Sequence, residues 1–154
     1  KCLIFTSLSS LVMNSISKAL NESGIKSVRI SGNMTQNQRS KAIEHFQNDE
    51  TCRAFILTAR SASYGLTLTA ASTLIFFEPC MNKSLKEQCI GRMDRLGQKK
   101  KSLEVITFAV KDSIEHDLLN ISKEKNSFTF KDVGLGCVLL EYSLSIFCIS
   151  INSC

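Results

Sequence analysis

The chain has no tryptophan, one proline and two histidines among its 154 residues, and each scarcity removes a class of architecture or chemistry. With Pro79 as the sole proline, Pro-rich linkers and polyproline ligands are excluded. His45 and His116 are isolated, and Cys2, Cys52, Cys80, Cys89, Cys137, Cys148 and Cys154 form no Cys-x-x-Cys pair. Zinc-ligand spacing is therefore absent, no metal site is expected, and the odd, scattered set fits reduced intracellular thiols. There is no Gly-Lys-[Ser/Thr], no Asp-Glu-x-His box and no Gly-x-Gly-x-x-Gly after a strand. Without these the chain has no loop of its own for cradling nucleotide phosphates, and a generic dinucleotide-binding domain is a remote reading. Lys1 stands where an initiating Met would, and the residues after it turn polar too soon for a signal peptide, so the chain is expected to be cut from something longer.

What is present is an alternation. A composition of 44% hydrophobic and 21% charged residues is ordinary enough to expect one domain with a real core. The net charge of +5 tilts the chain toward polyanions but does not identify one. Residues 2–6 read as a strand, and Leu8, Leu11, Val12, Ile16, Ala19 and Leu20 recur at helical spacing up to Gly24, a helix stop. Ile25 to Ile30 reads as a second strand. A helix then opens at Thr35 with Gln38 as its capping-box partner and buries Ala42, Ile43 and Phe46. Arg53–Thr58 and Thr73–Glu78 read as further strands, the latter stopped by Pro79. Ser84 and Glu87 suggest a second capping box for a helix to about Met93, Leu103–Ala109 a fifth strand, and Asp112 or Ser113 the cap of a last helix. Strands this continuously apolar are buried on both faces, so the expected class is α/β with a mainly parallel, helix-covered sheet. That domain should span 1–122. Residues 123–154 read as an atypical apolar tail with no obvious place in the sheet. Serines and Glu141 interrupt the tail too often for a convincing membrane span, and no membrane partner is expected.

The stretch from Gln88 to Gln98 carries the chemistry. Arg92 and Arg95, three apart, are expected on one helix face, where planar guanidinium forks suit a transferring phosphoryl group. Taken alone, Arg-x-x-Arg is more simply a solvated face paired with carboxylates. Gln88, Gly91, Gly97 and Gln98 in the same window change that balance. Gly91 should admit close approach of a backbone or ligand, and Gly97 should turn the chain.

With these residues the chain resembles the Swi/Snf-type branch of the superfamily 2 helicase-like ATPases, whose second RecA-like lobe carries Gln-x-x-Gly-Arg-x-x-Arg-x-Gly-Gln. Lys1–Ser7, Ile30-Ser31-Gly32 with Arg39 and Phe46, and Thr58-Ala59-Arg60 through Gly65 to Ala71 are similar to further blocks of that lobe. The resemblance covers roughly residues 1–121 and implies a three-layer RecA-like fold. It also implies arginine fingers at Arg92 and Arg95, with Arg95 first, and nucleotide contacts from Gly65, Gln88 and Gly91. Backbone contacts to double-stranded DNA are implied for Thr6, Ser7, Arg60, Thr67 and Thr69. ATP with Mg²⁺ would be bound mainly by a first lobe of the same parent chain, in a nuclear chromatin-remodelling or DNA-repair motor; this chain alone should be inactive. Phe77-Glu78-Pro79 with Asn82 resembles the DNA-repair branch whose members often carry a RING finger. Ala62-Ser63 and Thr67 depart from the glycine pair and Asn usual in the coupling loop, and Asp94 from the usual His, placed to pair with a neighbouring arginine. Two other readings stay open: a strand-separating helicase of another superfamily 2 branch, and a truncated, non-catalytic module that binds DNA or a protein.

Overall fold

The apolar run Cys2–Thr6 forms strand β1 at the centre of a sheet, and its position explains its composition, because layers cover it on both faces. The computed structural model describes residues 1–8, 10–58, 61, 65–100, 102–116 and 118–119, and the backbone of 146–153. After β1 come α1 (Ser10–Glu22), β2 (Lys26–Arg29), α2 (Gln36–Asn48), β3 (Cys52–Thr58), β4 (Thr73–Phe76), α3 (Lys83–Ile90), β5 (Leu103–Val110) and β6 (Ile146–Ser153). The strand order is β2-β3-β1-β4-β5-β6, with β1 to β5 parallel and β6 antiparallel to β5. Phe5 is in register with Leu57 on one side and Phe76 on the other. The expected α/β class with a mainly parallel sheet is what the chain adopts.

Side-chain alternation along the strands feeds two cores. On one face α1 places Met13 and Ile16 against Ile4, Ala54 and Ile56. On the other, Phe46 of α2 and Cys89 of α3 join Leu3, Phe5, Phe55, Leu57, Leu74 and Phe76. Helix, sheet and helix layers make three in all. Ring pairs reinforce the second core: Phe5 meets Phe76 with centroids 5.2 Å apart, and Phe46 meets Phe55 at 5.1 Å. Truncating a buried Phe of this kind costs about 3–5 kcal/mol.

The helix signals read from the sequence are partly realised and partly displaced. Thr35 and Gln38 form the reciprocal capping box of α2. Gly24, at φ +73, closes α1: its N–H donates to the Asn21 carbonyl at 3.0 Å and the Ile25 N–H to the Leu20 carbonyl at 2.8 Å, the paired bonds of a left-handed helix stop. The stripe of α1 facing the sheet runs through Met13 and Ile16, so Leu11, nearly on the opposite side, is exposed, as is Leu8 before the helix. Ser84 and Glu87 do not cap α3. The N-cap is Asn82, whose Oδ1 accepts from the Leu85 N–H at 3.0 Å and starts the helix earlier. Of the two cap candidates after β5, Ser113 accepts from the Glu115 N–H at 3.2 Å, while Asp112 adopts a left-handed φ of 56. Part of the tail, for which the sequence offers no place in the sheet, has one: the backbone of β6 lines the β5 edge from Leu103↔Ser153 to Val110↔Ile146.

Candidate nucleotide-facing arginine site

The arginine stretch begins where α3 stops. Gly91 caps the helix with its N–H on the Glu87 carbonyl at 2.9 Å. Successive turns carry the chain onward: Asp94 N–H to the Ile90 carbonyl at 3.0 Å and Gln98 N–H to the Arg95 carbonyl at 3.0 Å. Arg92 and Arg95 therefore sit on turns after the helix, not on one helix face as their spacing suggests. The anchors are Cys89 and Met93, both buried in the core, which fix the stretch from beneath. Gly97, at φ +104, makes the final reversal, as its position implies. Gly91 does not need a special conformation, since its φ is −62, and its nearest neighbours are the helix's own carbonyls, Glu87 O at 3.3 Å from an added Cβ.

The loop before β4 lies against these turns. Leu66 and Leu68 are buried and Thr67 between them is exposed, so an extended segment is nailed down by alternate side chains. The Leu68 N–H donates to the Arg92 carbonyl at 2.9 Å, and Gln98 Nε2 donates to the carbonyls of Ala71 at 2.8 Å and Met93 at 3.2 Å. The arginine stretch and the loop thus form one hydrogen-bonded unit.

Arg95 completes it. Its Nε donates to the Gly91 carbonyl at 3.1 Å, and its Nη1 to the Gly65 carbonyl at 3.4 Å and to Thr67 Oγ1 at 3.0 Å. Arg92 is half-buried, and its Nε has no hydrogen-bond partner among the described residues. Asp94 is exposed and makes no ion pair with either arginine among the described residues. Among the described residues, neither guanidinium group has a carboxylate partner. Beneath them, burial pushes the Cys89 thiol up to about 12, which keeps it neutral.

The sequence-predicted residues fall into two clusters. Gly65, Thr67, Gly91, Arg92 and Arg95 come together, and Thr69 joins them beside Gly97, its Oγ1 lying 3.9 Å from where a Cβ there would stand. Gln88 is exposed on α3, before Gly91. Thr6 and Ser7 belong to a second cluster at the end of β1, organised by Glu78. The Glu78 carboxylate accepts from Thr6 Oγ1 at 2.9 Å, from Ser7 Oγ at 2.7 Å and from the Ser7 N–H. Thr6 is fully buried in this arrangement, and Ser7 is exposed. Arg60, with Ala62 and Ser63, lies outside the described residues. Lys99 and Lys100 are exposed.

Sequence reasoning assigned no role to two residues that build these clusters, nor to Lys1, which fixes the helix end behind one of them. Glu78 serves there only as a subgroup marker, although an acid at one strand end beside Thr-Ser at another is a visible signal. Gln47 donates from Nε2 to the Thr67 carbonyl at 2.9 Å and accepts at Oε1 from the Ala70 N–H at 2.9 Å. Lys1 Nζ caps the end of α2, donating to the carbonyls of Phe46 and, at 2.9 Å, Asp49, and lying 5.1 Å from the Phe46 ring centroid. No spacing rule links Gln47 or Lys1 to their partners.

Comparison with known proteins adds a family context. The family model described as the helicase conserved C-terminal domain matches residues 1–97. Helicase-like transcription factor of Mus musculus is 36% identical over 112 residues, 71% of this chain and 11% of that protein. DNA repair protein rad8 of Schizosaccharomyces pombe is 32% identical over 129 residues, 84% of this chain and 11% of that protein. The crystal structure of the C-terminal part of the Fun30 ATPase domain matches with a TM-score of 0.73 and 29% identity, over 84% of this chain and 41% of that one. The chain spans only 11% of the length of those two curated relatives.

Proposed function

Because this chain belongs to the helicase conserved C-terminal domain family, in its Swi/Snf-type branch, we propose that it is the second lobe of an ATP-driven double-stranded DNA translocase. In this reading it supplies Arg95 and Arg92 to nucleotide held by a first lobe of the parent chain. The observation that carries it is the state of the two guanidinium groups. Arg95 is tethered through Nε and Nη1, which leaves Nη2 without a partner among the described residues, and half-buried Arg92, whose Nε is itself buried, makes no ion pair among them. A donor set with no competing carboxylate among the described residues suits phosphate oxygens.

ATP with Mg²⁺ supplies the phosphoryl group and its counter-charge when bound by the first lobe. The residues of this chain do the positioning: the loop carbonyl of Gly65 and the hydroxyl of Thr67 orient Arg95, and the turn at Gly97 lets Gln98 lock the stretch to Ala71. Among the described residues, no group of three or more His, Cys, Asp or Glu is placed to hold a metal, and no helix is long and apolar enough to cross a membrane. Exposed Ser7, Thr67 and the lysines at 99 and 100 are the candidates for DNA phosphates, contacts that hold the duplex without reading its sequence. The names of the mouse and fission-yeast relatives support a nuclear setting in transcription or DNA repair for the parent protein.

The test is a DNA-stimulated ATPase assay on the parent protein with both lobes. Arg95→Ala should lower turnover about 10³-fold or more, in line with an arginine finger. Turnover unchanged in that variant would overturn the finger assignment. A parent sequence without a Gly-Lys-[Ser/Thr] loop would leave the non-catalytic module, binding DNA or a protein partner, as the function.

A further inference from the structure

Gln47 occupies the last turn of α2, one residue after Phe46, whose ring is fully buried in the core. Its planar amide spans a turn of the neighbouring loop, donating a hydrogen bond from Nε2 to the Thr67 carbonyl and accepting one at Oε1 from the Ala70 N–H, both at 2.9 Å. Overlapping that span, the Ala71 N–H closes on the Leu68 carbonyl at 3.1 Å. The helix end that carries Gln47 is itself fixed, by the burial of Phe46 and by Lys1 Nζ on the terminal carbonyls. Thr67 is held at both ends. Its carbonyl takes the Gln47 amide, and its hydroxyl takes Arg95 Nη1 at 3.0 Å.

We infer that Gln47 is a positioning residue for Arg95, acting through Thr67: the buried end of α2 sets the loop, and the loop sets the guanidinium. The inference rests on the function proposed above, and it adds a residue outside the arginine stretch and the loop to that machinery. Loss of the amide frees the peptide between Thr67 and Ala70 to move, and Thr67 Oγ1 moves with it. A guanidinium displaced by even an ångström is a poor match for a phosphoryl group, which by the usual sensitivity of positioning costs between about tenfold and a hundredfold in rate.

Gln47→Met keeps the length and packing of the side chain and deletes both hydrogen bonds, so it separates the clamp from bulk. In NMR spectra of the full 154-residue chain, Gln47→Met should speed amide exchange at Ala70 and raise the mobility of the Arg95 Nε–H, with exchange in β3 unchanged. An Arg95 signal that stays put while Ala70 loosens would overturn the inference without recourse to activity. In the two-lobed parent, Gln47→Met should lower kcat by about tenfold or more and leave KM for ATP within about twofold. Added to Arg95→Ala it should cause no further loss, because both act on one group. A loss in Arg95→Ala with none in Gln47→Met refutes the role of Gln47 alone. Full turnover in Arg95→Ala refutes the finger reading, and with it the effect on turnover expected of Gln47.

Discussion

Replacing Glu78 by alanine should weaken the fold and strengthen DNA binding, two effects of opposite sign from one side chain. The stability term comes mainly from Thr6. Its hydroxyl is fully buried, donates to Glu78 Oε2 at 2.9 Å and accepts from the Leu8 N–H at 3.1 Å. A hydrogen bond to a charged acceptor contributes about 1.5–3 kcal/mol, and losing it leaves a buried donor without a partner. The two bonds from exposed Ser7 compete with water and add roughly 0.5 kcal/mol each at most. Together these predict a loss of about 2–4 kcal/mol for Glu78→Ala, against about 1 kcal/mol for Glu78→Gln, whose amide oxygen still accepts from the buried Thr6 hydroxyl while exposed Ser7 turns to water. Denaturant titration reads this as a lower midpoint at unchanged slope. The binding term follows from removing a negative charge beside the Ser7 donors. Affinity for duplex DNA should rise about two- to fivefold at low salt, the scale of one exposed charge, and the gain should shrink as salt is added. A Glu78→Ala protein with the parent's midpoint would refute the stability argument, and weaker DNA binding by a folded variant would refute the assignment of this end of β1 to DNA.

Other substitutions probe the rest of the architecture. Asn82→Ala should cost about 1 kcal/mol as loss of the α3 N-cap while Ser84→Ala stays near neutral; reversed thermal shifts would restore the capping box suggested by Ser84 and Glu87. Gly97→Ala makes only an ordinary contact, with Thr69 Oγ1 at 3.9 Å, but holds φ at +104, so strain alone should cost about 1–3 kcal/mol, seen as a fall in the melting temperature. Burial raises the Cys89 thiol from 9.0 to about 12. Site-resolved alkylation at pH 8 should leave it unlabelled until the protein unfolds. Because that thiol is neutral in the fold and ionises more readily once unfolded, its contribution to stability is complete below pH 9 and is lost as the pH climbs from 9 toward 12; denaturation midpoints across that range check the sign.

Much of the fold is legible because it depends on local periodicity and local caps. β1 is read to the residue since its apolar run, covered on both faces, ends at Thr6 and gives way to exposed Ser7. Thr35 with Gln38, and Gly24, announce helix ends through bonds only a few residues long. Ser84 misleads for the same reason: two competing caps stand two residues apart, and only the placement of α3 on the sheet selects Asn82. The arginine stretch is also legible, as an ordered set of residue types with a family likeness behind it. The spacing of Arg92 and Arg95 suggests a helix, but the helix stops at Ile90 because Met93 has to turn into the core.

By itself, then, the sequence determined the alternating strands and helices, the α/β class, the family and the arginines on which the proposed chemistry depends, because each is carried by residues close together in the chain. Tertiary structure alone decided which distant groups hold those arginines. Gln47 reaches Thr67 across 20 positions, Arg95 reaches Thr67 across 28, and Glu78 reaches Thr6 across 72. Such contacts follow from the order of strands in the sheet, which brings loops from opposite ends of the sequence side by side, and a local pattern carries no information about that order.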